Sequence, residues 1–180
     1  FNQLLEKSTK LLQRKLNQYS YSKKAIQTLK QVVNTATQIN AQSKCVFCME
    51  LIKPERKRIW ENENFYAILD KYPVNPGHTL LISKEHVPDL FSLDEKISTE
   101  IPKVLKTLKS ILDEKFKPDG YNIGTNICSA AGQTIPHLHI HIIPRYKHDI
   151  DDPSGGVRFV IPQKGNYRKP GFIPKRKIKK

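Results

Sequence analysis

Three histidines stand at alternate positions in His137-Leu138-His139-Ile140-His141, so half of the chain's six histidines fall within five residues. In an extended strand alternate side chains share a face and lie about 6.6 Å apart along the chain. Leu138, Ile140 and Ile142 then point the other way, into a core. A neutral imidazole is available near pH 7 as a nucleophile, proton carrier or metal ligand. Three protonated imidazoles on one face would repel one another. The cluster therefore reads as a chemical site or a metal-binding ridge rather than as packing. A second constellation is Cys45-Val46-Phe47-Cys48 with Lys84-Glu85-His86. Cys-x-x-Cys is half of a zinc site. A redox use needs a thioredoxin-like βαβ context, which this segment lacks. The alternative is a pair of free thiols with an unrelated surface His86.

These residues need a scaffold. Ile59–Asn62 and Phe65–Leu69 read as strands around an Asn/Glu turn. Pro73–Gly77 is a turn cluster, and 78–82 is the next strand. A helix follows, with Ile101, Val104, Leu105, Leu108, Ile111 and Leu112 on its apolar face and Pro102 near its start or kinking it. Residues 121–127 form a strand, 129–134 a small-residue loop, and 137–143 a strand ended by Pro144. The body is thus α+β, a mostly antiparallel sheet with one main helix. Before it, residues 1–40 read as two helices broken at Tyr19–Ser22. Leu4, Leu5, Leu11, Leu12 and Leu16 form one stripe, and Ile26, Leu29, Val33 and Ala36 the other. Residues 41–44 read as a polar join. Beyond Ile161 the chain is rich in Pro, Gly, Lys and Arg and reads as extended or disordered.

The organisation is therefore a basic helical extension over 1–44, a core domain over 45–162 and a basic tail over 163–180. The charge supports this division. The net +14 is concentrated at the ends, with +7 in residues 1–44 and +8 in 164–180, while 45–163 carries −1. A neutral body with basic ends attracts polyanions loosely and with strong salt dependence, unlike a fold built to grip phosphates. No aromatic platform accompanies Lys175–Lys180, so nucleic acid is a disfavoured partner. With 38% hydrophobic residues, three cysteines and no apolar run near the ~20 residues of a membrane helix, disulfide scaffolds and membrane spans are excluded. Phe1–Lys15 alternates apolar with charged residues, unlike a signal peptide, and a cytoplasmic protein is expected. Cys128 is expected as a small buried residue and His148 at the surface. Gly155-Gly156 and Arg158 either bend toward a substrate phosphate or form a packed turn.

The string Gly132-Gln133-Thr134-Ile135-Pro136-His137-Leu138-His139-Ile140-His141-Ile142-Ile143-Pro144-Arg145 resembles the signature of the histidine triad (HIT) family. Phe65–Asp70 and Pro76–Ile82 resemble its upstream segments, and the likeness covers roughly 45–150. The resemblance implies the HIT-like fold and a homodimer with a ten-stranded sheet. It implies a nucleotide hydrolase or transferase acting at the α-phosphate. His139 maps to the family's nucleophile. A backbone carbonyl on its Nδ1 would leave Nε2 free to attack. His141 would bond the phosphate oxygens where charge builds, with His137 completing the triad and His78 supporting it. Asn126 matches an amide near the phosphate. Gly132, Gln133 and Thr134 match the loop that offers donors to phosphate and leaving group, where small residues admit close approach. Asp70 matches the group on the ribose hydroxyls, since a carboxylate accepts from both. Val46, Phe47, Ile68 and Leu80 are expected at the base, with a purine, by family default adenine. The pattern of many bacterial members further implies structural zinc on Cys45, Cys48, His86 and His137, a Cys2His2 set suited to tetrahedral coordination. If His137 binds zinc, it cannot also shuttle protons.

Three functions compete at this stage. One is a hydrolase releasing a nucleoside monophosphate from phosphoramidates or dinucleoside polyphosphates. The second is an enzyme of adenylated nucleic-acid ends, as in the aprataxin branch, motivated by the basic ends but lacking that branch's zinc finger. The third is a zinc-stabilised nucleotide-binding protein without turnover.

Overall fold

The computed structural model describes residues 11, 14, 23–52, 57–166 and 168. The helical reading of 1–22, Leu11 and Arg14 apart, its break at 19–22, and the tail beyond 168 lie outside the described residues. Helix α1 (Lys23–Lys44) is followed by α2 (Val46–Ile52), β1 (Arg58–Glu61), β2 (Phe65–Leu69) and β3 (Thr79–Ser83). Next come a 3-10 turn at Leu90–Ser92, α3 (Glu95–Ser98), α4 (Ile101–Phe116), β4 (Gly120–Gly124) and β5 (His139–Arg145). A 3-10 turn at Gly156–Val160 and α5 (Pro162–Gly165) close the described chain. The five strands form one antiparallel sheet in the order β1-β2-β3-β5-β4.

One face of the sheet carries α4. Leu108 and Leu112, on its apolar stripe, are fully buried against Phe65, Ala67, Leu81, Leu138, Ile140 and Ile142. Pro102 lies in the first turn of α4, where its missing N–H costs no helical bond. At the other end Lys117 takes a left-handed conformation and its amide closes on the Asp113 carbonyl. Glu100, just before α4, accepts from the side-chain amides of Asn62 and Asn64, which ties the helix start to the β1–β2 turn. The opposite face carries Tyr66, Ile68, Leu80 and Ile82, covered by Cys45 and, from α2, by Phe47. The Tyr66 hydroxyl donates to the Phe47 carbonyl at 2.8 Å, pinning α2 to the sheet.

Several sequence expectations are corrected. Residues 41–44 are the last turn of α1, not a join. The strand read as 121–127 is Gly120–Gly124, after which the chain leaves the sheet. The triad strand starts at His139, because Leu138 turns aside to pair its N–H with Val87. It also continues through Pro144. Its neighbour β3 begins at Thr79, opposite Ile142, so proline owes no N–H on that side. The Asn75 amide instead caps the Pro144 carbonyl at 3.0 Å. Beyond Ile161, residues 162–165 are helical, and Asn166 is buried with its side-chain amide on Asp152. Cys128 is exposed. Among the described residues no helix is long and apolar enough to cross a membrane.

Candidate active site and metal cluster

Registry places the histidines. His139 lies opposite Ile82 and His141 opposite Leu80, so both imidazoles rise from the face covered by α2. Their ring centroids are 5.2 Å apart, edge to face. The His139 Nδ1 lies 2.7 Å from the His137 carbonyl. That carbonyl can only accept, so Nδ1 carries the proton and Nε2 keeps its lone pair. The Phe47 ring stands against His139 at 5.2 Å and His137 at 5.7 Å, which fixes both rings from the α2 side.

His137 turns away from its two strand-mates into a separate cluster. Its Nδ1 is 3.3 Å from Cys45 Sγ, 3.5 Å from Cys48 Sγ and 3.2 Å from His86 Nδ1. Cys48 Sγ is 3.2 Å from His86 Nδ1. All four donors lie within 4.8 Å of one another. Such spacings match the edges of a tetrahedron with metal–ligand bonds of about 2.0–2.3 Å. His137 Nε2 lies 2.8 Å from the Ser83 carbonyl, so it holds the proton and Nδ1 is free to ligate. Burial pushes His137 down to about 4 and, with the neighbouring Cys45, pushes the Cys48 thiol up to about 12. Two imidazole nitrogens and two cysteine sulfurs thus converge on one point at tetrahedral spacing. The donor set fits a zinc ion.

On the other side of His141 lies His78, buried, with its Nε2 3.0 Å from His141 Nδ1. Asp70 Oδ2 sits 3.5 Å from His78 Nδ1, and Asp70 Oδ1 accepts the Tyr72 amide at 2.8 Å. Burial holds His78 and His141 below the usual imidazole range, opposed by the Asp70 charge. Asn126 and Gly132 meet across the loop after β4, the amide nitrogen lying 4.0 Å from where a Gly132 Cβ would stand. Gln133 is spent on backbone groups: its carbonyl oxygen accepts the Cys128 amide within the loop and its nitrogen donates to the Pro88 carbonyl in the segment after β3. The Gly132 amide likewise bonds the Ser129 carbonyl. Thr134 is exposed. Ile68 and Leu80 are buried in the core beneath the histidines with Phe47, whereas Val46 is exposed.

The structure thus brings together His139, His141, His78 and Asp70, and separately Cys45, Cys48, His86 and His137. The contacts missed from sequence are the Val74 amide, which donates to His78 Nδ1 at 3.2 Å, and the Ser83 carbonyl, which accepts from His137 Nε2 at 2.8 Å. Both are backbone groups, for which residue type gives no signal.

The HIT domain family model matches residues 53–148, and the chain belongs to that family. It is 37% identical to a HIT-like protein of Mycoplasma genitalium over 60% of this chain and 77% of that one. It is 35% identical to an AP-4-A phosphorylase of Mycobacterium tuberculosis over 54% of this chain and 51% of the phosphorylase. Among solved structures, a zinc-bound histidine triad family protein from Mycobacterium smegmatis superposes with a TM-score of 0.55 at 33% identity, covering 66% of this chain and 91% of that one.

Proposed function

We propose that the chain is a nucleotidyl hydrolase or transferase in which His139 attacks the α-phosphorus of a nucleoside phosphoramidate or dinucleoside polyphosphate. The observation that carries this reading is the His139 Nδ1 contact with the His137 carbonyl at 2.7 Å, which leaves Nε2 as the nucleophile. Nε2 forms a bond to phosphorus as the bond to the leaving amine or phosphate breaks, and the leaving group departs with the electron pair, the amine taking up a proton from solvent. Water then adds to phosphorus and gives up a proton to solvent, the P–N bond breaks toward Nε2, and a nucleoside monophosphate leaves. His141 stabilises the phosphate oxygens. Asp70 takes the ribose hydroxyls, and Asn126, Gly132 and Thr134 border the phosphate. Gln133 braces that loop through one bond within it and ties it to Pro88 through the other. Phe47, Ile68 and Leu80 back the site on the expected base side, with adenine the preferred base. The likeness to an AP-4-A phosphorylase supports a dinucleoside polyphosphate among the substrates.

Cys45, Cys48, His86 and His137 would hold zinc, which supplies structural cross-linking rather than a reactive group. The functional unit then runs from Cys45 to about residue 162, with basic extensions on either side. A homodimer through the open β4 edge and a cytoplasmic setting complete the proposal. The test is turnover of adenosine phosphoramidate and diadenosine polyphosphates beside His139→Ala. Loss of turnover in the variant is expected, and equal turnover would end the mechanism.

A further inference from the structure

β4 stops short of the nucleophile. Its last pair is Gly124 opposite His141, so a continuing ladder would set Thr125 opposite Ile140 and Asn126 opposite His139. Main-chain groups alternate sides along a strand. Leu138 gives its N–H to Val87 and accepts from Ser83 on the β3 side, which turns the His139 carbonyl toward the β4 side. In a continuing ladder the Asn126 N–H would meet that carbonyl. The structure fills the place differently: the half-buried Thr125 hydroxyl donates to the His139 carbonyl at 2.8 Å. A side chain thus makes the bond that the next backbone amide would have made, and the main chain is free to turn away. Asn126 then lies across the loop against Gly132.

We propose that Thr125 is a positioning residue whose hydroxyl takes the place of the Asn126 N–H on the nucleophile's own carbonyl, anchoring His139 and releasing Asn126 to the phosphate loop. This rests on the nucleotidyl-transfer reading above and concerns a residue that touches no reacting atom. Two requirements meet at this point. The His139 peptide needs a partner on the β4 side, because its ring is held at Nδ1 by a carbonyl of the same strand and swings with the backbone. A ladder partner would bring Asn126 directly opposite, with Cα atoms about 5.5 Å apart, and close the gap in which a phosphate must sit between ring and amide. A hydroxyl one residue earlier meets the first requirement and leaves that gap open. Serine keeps the donor and valine matches the shape without it, so the hydroxyl can be tested apart from packing.

The experiment uses the full chain. In the isotope-labelled wild-type protein the Thr125 hydroxyl proton is expected to be protected from solvent exchange. Measured well below the melting temperature, Thr125→Val is expected to lower kcat on adenosine phosphoramidate about fivefold, the scale of one hydrogen bond, and Thr125→Ser to restore most of it. A role in stability alone would lower the melting temperature of Thr125→Val and leave kcat where it was. In an Asn126→Ala background the same valine substitution is expected to cost less than about twofold, because the residue it positions is gone. A hydroxyl proton exchanging at the solvent rate, an unchanged kcat in Thr125→Val, equal losses in the valine and serine variants, or the full loss retained beside Asn126→Ala would overturn the proposal. If the wild-type chain turned over no nucleotide, the enzymatic reading would fail while the hydroxyl proton still decided the bond. If Thr125→Val did not fold, Thr125→Ala would take its place in both backgrounds.

Discussion

Cys128 shows how a single backbone angle bears on the loop beside the triad. It adopts φ 64° and ψ 164°, a region essentially reserved for glycine, with its side chain exposed. A Cβ there costs on the order of 1–3 kcal/mol, and glycine returns part of that gain as unfolded-state entropy. Cys128→Gly is therefore expected to stabilise the chain by about 1 kcal/mol, read as a raised melting temperature. Unchanged or lower stability would mean that the loop does not hold this conformation in solution. At the same scale, His139 and His141 are nearly identical in sequence context yet differ in chemistry. One ring has a backbone carbonyl at Nδ1 and the other an imidazole, so only the first faces a group that can do nothing but accept. Residue type alone does not distinguish them.

Among the elements, the Cys/His cluster joins the start of α2, the loop after β3 and the entry to β5, which are far apart in sequence. Metal binding at such a site is coupled to folding, with about 10 kcal/mol available in comparable small domains. Removing metal with a strong chelator is expected to lower the melting temperature and the turnover together, and added zinc to restore both. Cys48→Ser should reproduce the loss, while a chelator-indifferent melt would show that the four donors hold no ion. Much of this arrangement was legible beforehand. Short apolar runs bounded by turn residues gave β2 and β3, the apolar stripe gave α4, and the family resemblance gave the four residues that converge in the Cys/His cluster. Periodicity did not give the departure of His137 from its strand-mates, which only the resemblance implied. Alternation placed three imidazoles in one row, but Leu138 gives its N–H to the Val87 carbonyl while its own carbonyl accepts from Ser83, and the His137 ring meets the cysteines. The proline inside β5 and the helical turn at 162–165 were likewise hidden, because each depends on a neighbour distant in sequence. A core test belongs at this scale too. Leu108 is fully buried between α4 and the sheet, so Leu108→Ala should cost about 3 kcal/mol by denaturant unfolding.

For the molecule as a whole, pH acts through buried imidazoles. Burial lowers His137 to about 4 and depresses His78, His86 and His141 as well. The folded chain therefore binds fewer protons than the unfolded chain between the ordinary histidine value of 6.5 and about 4. The stability these groups contribute is fully present above about pH 6.5 and is lost as pH falls toward 4. Metal-depleted protein is expected to melt several degrees lower at pH 5 than at pH 7.5, and a flat profile would contradict the burial of these rings. The basic ends act differently. Every residue gathered at the two sites lies between 45 and 141, while Gly165 and Asn166 pack under the C-terminal turn, so a clean trim removes 1–22 and 169–180. That trim deletes ten of the 31 Lys and Arg residues. Turnover of adenosine phosphoramidate should survive it, whereas retention on a polyanionic matrix should weaken and lose part of its salt dependence. If the trimmed chain instead kept small-substrate turnover but lost activity on adenylated DNA ends that the full chain processes, the basic ends would be substrate-binding elements. The nucleic-acid reading would then displace the small-nucleotide one.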